Sequence, residues 1–207
     1  KLKGQLMQMI QIFGAWIGAT RLSSLDINAA LDYVQTIDND IGGNGATTVT
    51  QRLLDVPVFN SVKKEIEILT KEYVVNQGHI VDEVKISSSW GNTLTKGQPI
   101  SMHQHPNSYV SGVLYLTEGS PLHFHNPLQT EDLFTFRPNV QWDADNIHTW
   151  QVMYLTPEPG SMFLFPSKLN HSVEHNETDY RYSIAFNTLP IGELGDSTKQ
   201  INIKQIV

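Results

Sequence analysis

The chain has 207 residues, 14 Lys and Arg against 21 Asp and Glu, a formal net charge of −7, and no cysteine. That length suits one domain with a sizeable core, and the missing cysteines exclude disulfides, thiolate metal sites, iron–sulfur clusters and cysteine nucleophiles. The negative balance, unrelieved by any cluster of Lys or Arg, argues against a nucleic-acid grip.

Residues 1–17 open with Lys1-Leu2-Lys3 and an apolar stretch that faintly resembles a leader. Gln5, Gln8 and Gln11 interrupt it, so a cytoplasmic protein is expected. No apolar run reaches the length of a membrane span. Leu6 to Ile17 alternates loosely and predicts one or two strands, with Gly14 at a bend. An apolar strand so placed also offers an edge for pairing with a second chain, as a homodimer.

Asp26 is an N-cap candidate, and Ile27, Ala30, Leu31, Val34 and Ile37 recur at helical spacing, which predicts a helix over about 26–39. Ile41-Gly42-Gly43-Asn44-Gly45 is expected to be a loop. A second helix is predicted from Pro57, with Val58, Val62, Ile66, Leu69 and Tyr73 on its apolar face and Gly78 as its stop.

Beyond Ile80 short β-type runs alternate with Gly, Pro, Asn and Asp. The expected strands are 81–90, 98–105, 109–117, 121–125, 150–155, 161–166, 171–175 and 180–188. This spacing predicts a sandwich or barrel with the two helices on one sheet. Residues 1–79 would be a supporting strand and helix pair, 80–190 the β core, and 191–207 a tail. The segment 126–149 is a long loop bearing Phe134, Phe136, Trp142 and His148, a candidate lid.

The chemistry concentrates in histidines. In His103-Gln104-His105 two imidazoles stand at i and i+2, and an extended chain points both to one side. His171 emerges after the apolar run 162–166 and can close a three-ligand facial site of the kind a non-haem iron uses. His123-Phe124-His125 is a second pair, but Leu122 and Phe124 would take the core face and turn both histidines outward; His125 stays a candidate on the substrate side. Arg181 heads the strand 181–187, where Arg181, Ser183 and Ala185 share one face. An inward arginine is costly unless it meets an anion. A structural Asp or Glu would serve, and a carboxylate ligand would use the guanidinium fork and the Ser183 hydroxyl together.

The stretches 90–116 and 157–188 resemble the 2-oxoglutarate/Fe(II)-dependent oxygenases, near the prolyl-hydroxylase branch and an oxygenase group of marine bacteria and phages. The resemblance rests on Ser89-Trp90-Gly91-Asn92, His103 through Ser108, Ser111-Gly112-Val113, Tyr115-Leu116, Phe165-Pro166-Ser167, His171 and Arg181 through Asn187. Arg181 follows His171 by ten residues, the interval at which that family places its 2-oxoglutarate-binding basic residue.

The resemblance implies a double-stranded β-helix (jelly roll) core, Fe(II), and 2-oxoglutarate as co-substrate. O2 and a small-molecule or peptide substrate would be the other partners, with hydroxylation as the outcome and succinate and CO2 as products. It assigns His103, His105 and His171 to the metal. Arg181, Ser183, Tyr115, Ser111 and Asn187 go to the co-substrate, and Trp90, Asn92, His125, Trp142 and Trp150 to the substrate side.

One departure is clear. Two residues after the first histidine the family carries a carboxylate, and this chain has His105, or Asn107 if His105 is the first ligand. Halogenating relatives also lack the carboxylate but keep a small residue there, so halogenation is not expected. Two alternatives stay open. A cupin-type three-His dioxygenase would give Arg181 no task, and a non-catalytic β-sandwich binding module would need no metal.

Overall fold

A computed structural model of the chain describes residues 7–12, 14–37, 39–42, 45–127, 151–195 and 198–204. The 126–149 loop with Trp142, the residue Trp150, and the extreme N-terminal run therefore fall largely or wholly outside the described residues.

Thirteen strands and two α-helices follow in chain order among the described residues. Strands β1 (Gln8–Ile12) and β2 (Ala15–Arg21) form a hairpin closed by Gly14, whose φ of 77° lies where glycine is favoured. Helix α1 (Ile27–Thr36) starts where the sequence places it, with the Asp26 carboxylate accepting from the Ala29 N–H at 3.1 Å. It stops short of residue 39, because Asn39–Gly42 (β3) pairs with Gly45–Thr48 (β4). The predicted loop at 41–45 is therefore partly strand, with Ile41, Gly42 and Gly45 in the ladder, while residues 43–44 lie outside the described residues.

Pro57 opens a 3-10 turn (Pro57–Phe59) rather than the helix itself, and α2 runs Asn60–Asn76. Gly78 ends it at φ 86°, with its N–H on the Val75 carbonyl and the His79 N–H on the Val74 carbonyl. That double bond pattern is the Schellman stop expected of a glycine there.

The remaining strands are β5 (Glu83–Thr95), β6 (Ile100–His103), β7 (Val110–Tyr115), β8 (Leu122–His125), β9 (Val152–Leu155), β10 (Ser161–Pro166), β11 (His171–Val173), β12 (Tyr180–Leu194) and β13 (Ile201–Ile203). They build a large sheet in the order β1-β2-β10-β7-β12-β5-β4-β3, with β13 on β12, and a small sheet in the order β6-β11-β8-β9. Every ladder named here is antiparallel. The N-terminal residues supply β1 to β4 of the large sheet, so that region is built into the core sheet.

Alternation along the central strands separates two cores. Leu114, Met162, Leu164, Ile184 and Phe186 pack with Val34, Leu53, Val62, Ile66 and Tyr73 beneath the helices. The alternate residues Val113, Tyr115, Phe163 and Phe165 turn the other way. They meet Leu122, Phe124 and Val173 of the small sheet. Strand β7 is buried at every position, as a strand covered on both faces must be. Helices cover one face of the large sheet, the small sheet covers the other, and the histidines and Arg181 lie in that second interface. Among the described residues no helix is long and apolar enough to cross a membrane.

Candidate metal and anion site

The register of β12 lays out the site. On one side of it, Leu94, Asn92, Trp90 and Ser88 of β5 stand opposite Arg181, Ser183, Ala185 and Asn187. On the other side, Tyr115, Val113 and Ser111 of β7 stand opposite Ser183, Ala185 and Asn187. All these side chains project toward the small sheet, since residues two apart share a face. There His171 pairs with His103 across β11 and β6.

The three histidines converge. One ring nitrogen from each of His103, His105 and His171 lies within 4.8 Å of the other two. The Nε2 atoms of His103 and His105 are 3.2 Å apart. Each Nδ1 is directed away from the cluster: His103 to the Ser101 carbonyl at 2.8 Å, His171 to the Leu169 carbonyl at 2.8 Å, and His105 to Asn187 Oδ1 at 2.7 Å. A carbonyl oxygen only accepts, so each Nδ1 carries the proton and each Nε2 presents a lone pair to the common centre. That is how outer partners orient imidazoles for a metal.

Burial favours the neutral form of the His105 and His171 rings. It pushes the His171 pKa down to about 3, and the neighbouring His103 adds to the effect. Burial also lowers that of His105, against the bond from Asn187. His103 is the most open of the three, as the mouth of such a site requires. Three imidazole nitrogen donors suit a borderline divalent ion such as Fe(II).

Arg181 lies deeper, at 1% exposure. Its Nη2 donates to Tyr115 Oη at 3.2 Å, and its guanidinium carbon sits 4.9 Å from the centre of the Tyr115 ring. Its Nε is buried with no hydrogen-bond partner among the described residues, and no acidic side chain there pairs with it. A buried cation in that condition is costly unless an anion arrives. Arg181, Ser183, Tyr115 and the three histidines line one cavity, together with Trp90 and Asn92. Burial raises the Tyr115 pKa, so the phenol stays a neutral donor.

No motif in the sequence singles out Gly119. A Cβ there would lie 2.7 Å from both Cγ and Cδ of Arg181, so only glycine lets that backbone pass over the side chain.

Several expected site residues sit elsewhere. Ser111 and Asn187 do not line the cavity; they stand behind His105, with Ser111 Oγ 2.8 Å from Asn187 Oδ1. Six residues of strand, about 20 Å, separate Asn187 from Arg181, too far for both to hold one small carboxylate. His125 turns to the outer face of the small sheet, where Nε2 meets Ser172 Oγ at 2.8 Å, and it does not line the cavity. Asn107 is exposed at a turn with φ 57°, outside the histidine cluster. Trp142 and Trp150 lie outside the described residues.

One cavity thus joins three imidazole nitrogens to a buried arginine that meets no acidic side chain among the described residues. Residues 88–187 match the family described as "Putative 2OG-Fe(II) oxygenase". Over that segment the chain is similar to the 2-oxoglutarate/Fe(II)-dependent oxygenases. No curated protein matches the chain in sequence.

Among solved structures, a 2OG-Fe(II) oxygenase family oxidoreductase from Burkholderia pseudomallei is similar, at TM-score 0.56 and 13% identity over 83% of each chain. HygX from Streptomyces hygroscopicus, solved with nickel and 2-oxoglutarate bound, aligns at TM-score 0.58 and 13% identity over 84% of this chain and 82% of its own. The viral collagen prolyl hydroxylase of Paramecium bursaria Chlorella virus 1, in its 2-oxoglutarate complex, aligns at TM-score 0.51 and 13% identity over 89% and 96%. At these identities the likeness is one of fold.

Proposed function

We propose that the protein is a non-haem Fe(II)- and 2-oxoglutarate-dependent dioxygenase that hydroxylates its substrate on a double-stranded β-helix core. His103, His105 and His171 would hold the iron. Arg181, Ser183 and Tyr115 would hold the far carboxylate of 2-oxoglutarate. The observation that carries this reading is Arg181, buried without an anionic partner among the described residues in the cavity on which the three Nε2 atoms converge.

When bound, ferrous iron supplies chelation of the 2-oxo acid and activation of O2, with succinate and CO2 as products. The chain's own residues bind and orient. The Arg181 fork takes two carboxylate oxygens, a geometry a lysine cannot reproduce. The neutral phenol of Tyr115 fixes the guanidinium from one side, and Ser183 stands next to it on the same strand face. Phe124 and Phe165 pack against His171 and keep water from that side of the centre. Trp90, whose ring centre is 5.5 Å from that of His105, and Asn92 form the wall from which a substrate would be met.

With three histidines and no carboxylate, a bound Fe(II) keeps its full +2 charge. The site should therefore favour anionic ligands more than a two-His-one-carboxylate centre does.

The test is succinate formation from 2-oxoglutarate by the Fe(II)-loaded protein. Iron-dependent succinate above the metal-free control is expected. Its absence, together with no thermal shift from Fe(II) and 2-oxoglutarate, would overturn the proposal.

A further inference from the structure

Two of the three histidines are oriented by the backbone, and one is not. His103 and His171 each give Nδ1–H to a carbonyl of their own segment, Ser101 and Leu169. No side-chain substitution removes those acceptors. His105 alone relies on a side chain, Asn187, 82 positions away in the chain. It is also the histidine that fills the position where the family carries its carboxylate.

Asn187 is itself held on several sides. Its Nδ2 donates to Ser88 Oγ at 3.2 Å, and its Oδ1 accepts from Ser111 Oγ at 2.8 Å. Ser111 Oγ lies 2.8 Å from Ser167 Oγ, which lies 2.7 Å from Ser108 Oγ. Ser108 and Ser167 belong to the two segments that carry the ligands onward, and the His105 N–H donates to the Ser167 carbonyl at 2.9 Å. A network of four serine hydroxyls around the Asn187 amide thus fixes the oxygen that His105 must reach.

The geometry points to Asn187 as the positioning residue that sets both the tautomer and the electron richness of the third metal ligand. The inference rests on the metal-site reading above. An amide oxygen accepts the Nδ1 proton, leaves Nε2 bare, and adds no negative charge. A carboxylate at the same place would also accept the proton and would make the imidazole a more basic ligand. It would restore, one residue behind the metal, the charge that the ligand set lacks. Ser88, Ser111 and His105 can all donate to such a carboxylate, so the neighbours tolerate it.

The predicted signature is a pair of variants that move in opposite directions. Asn187→Leu removes the acceptor and should weaken Co(II) or Ni(II) binding about 10- to 100-fold, the usual range for such outer partners. Asn187→Asp should tighten the same metal and weaken the binding of oxalate, a small anionic chelate, to the metal-loaded protein. Affinities are read by competition with a chromophoric chelator, and the Co(II) visible spectrum reports the ligand field. Ser111→Ala, which leaves the His105 partner in place, should shift metal affinity less than Asn187→Leu and guards against misfolding of the latter.

If both Asn187 variants weaken the metal alike, the residue is merely structural and the inference is overturned. An unchanged affinity in both overturns it equally. If the unaltered protein binds neither Co(II) nor Ni(II), it is the metal-site reading that fails.

Discussion

Replacing Arg181 by Met separates what the arginine does for the ligand from what it does for the fold. Met keeps most of the length and the apolar stem on which the Gly119 backbone rests. The guanidinium is buried, with one neutral partner in Tyr115 Oη and a buried Nε that makes no hydrogen bond among the described residues. In the ligand-free protein the charge is therefore a desolvation cost with little return, and the variant should melt at the same temperature or higher. With 2-oxoglutarate present the balance inverts. Removing one partner of a buried charge pair costs about 3–5 kcal/mol. At about 1.4 kcal/mol per tenfold, that is a loss of about 150-fold to a few thousand-fold in affinity. Anaerobic calorimetry of 2-oxoglutarate binding to the Ni(II)-loaded protein measures it directly. A loss under tenfold would refute the assignment. So would an equal loss of stability in the ligand-free variant, which would mean that Arg181 is satisfied within the protein.

Tyr115→Phe removes one neutral hydrogen bond to Arg181, and 2-oxoglutarate should bind up to about tenfold more weakly, by about 0.5–1.5 kcal/mol in the same calorimetric assay. Gly119→Ala forces a Cβ to within 2.7 Å of the Arg181 stem, so the guanidinium must shift. Affinity for 2-oxoglutarate should fall at least about tenfold while metal affinity, measured by chelator competition, is unchanged. For the metal-free protein, the pKa of His171 is lowered from 6.5 to about 3, so the unfolded chain takes up a proton that the folded one refuses. Stability present above pH 6.5 is then lost as pH falls toward 3, by about 2 kcal/mol at pH 5. Denaturant titrations at pH 8 and pH 5 read this slope. His171→Gln should flatten it, and an unchanged slope would count against the burial of a neutral imidazole.

The parts of the site that follow from local geometry were legible in the sequence. An i, i+2 pair on extended chain must share a side, and His103 and His105 do, with their Nε2 atoms 3.2 Å apart. Alternation along 181–187 placed Arg181, Ser183 and Ala185 on one face, and the register of β12 with β5 and β7 agrees. Ser111 and Asn187, which the resemblance gives to the co-substrate, stand on that same face but about 20 Å along it from Arg181. Strand rise was the signal that could have separated them from Arg181 and assigned them to His105. Gly119 had no sequence signal, because its constraint is a close approach between segments about 60 residues apart. In the fold, the start of α1 was readable from Asp26, whereas Pro57 marks only the 3-10 turn that precedes α2. The run 41–45 reads as a loop in the sequence, although its glycines equally mark a hairpin, and the pairing of β3 with β4 decides.

The most direct test of the central claim is an anaerobic titration of the metal-free protein with Fe(II) and then with 2-oxoglutarate, followed in the visible range. The account predicts a weak charge-transfer band that appears only when both are present and is lost at the same concentrations in Arg181→Met. Iron binding without a band would contradict the co-substrate assignment. Failure to bind iron would contradict the three-histidine centre itself.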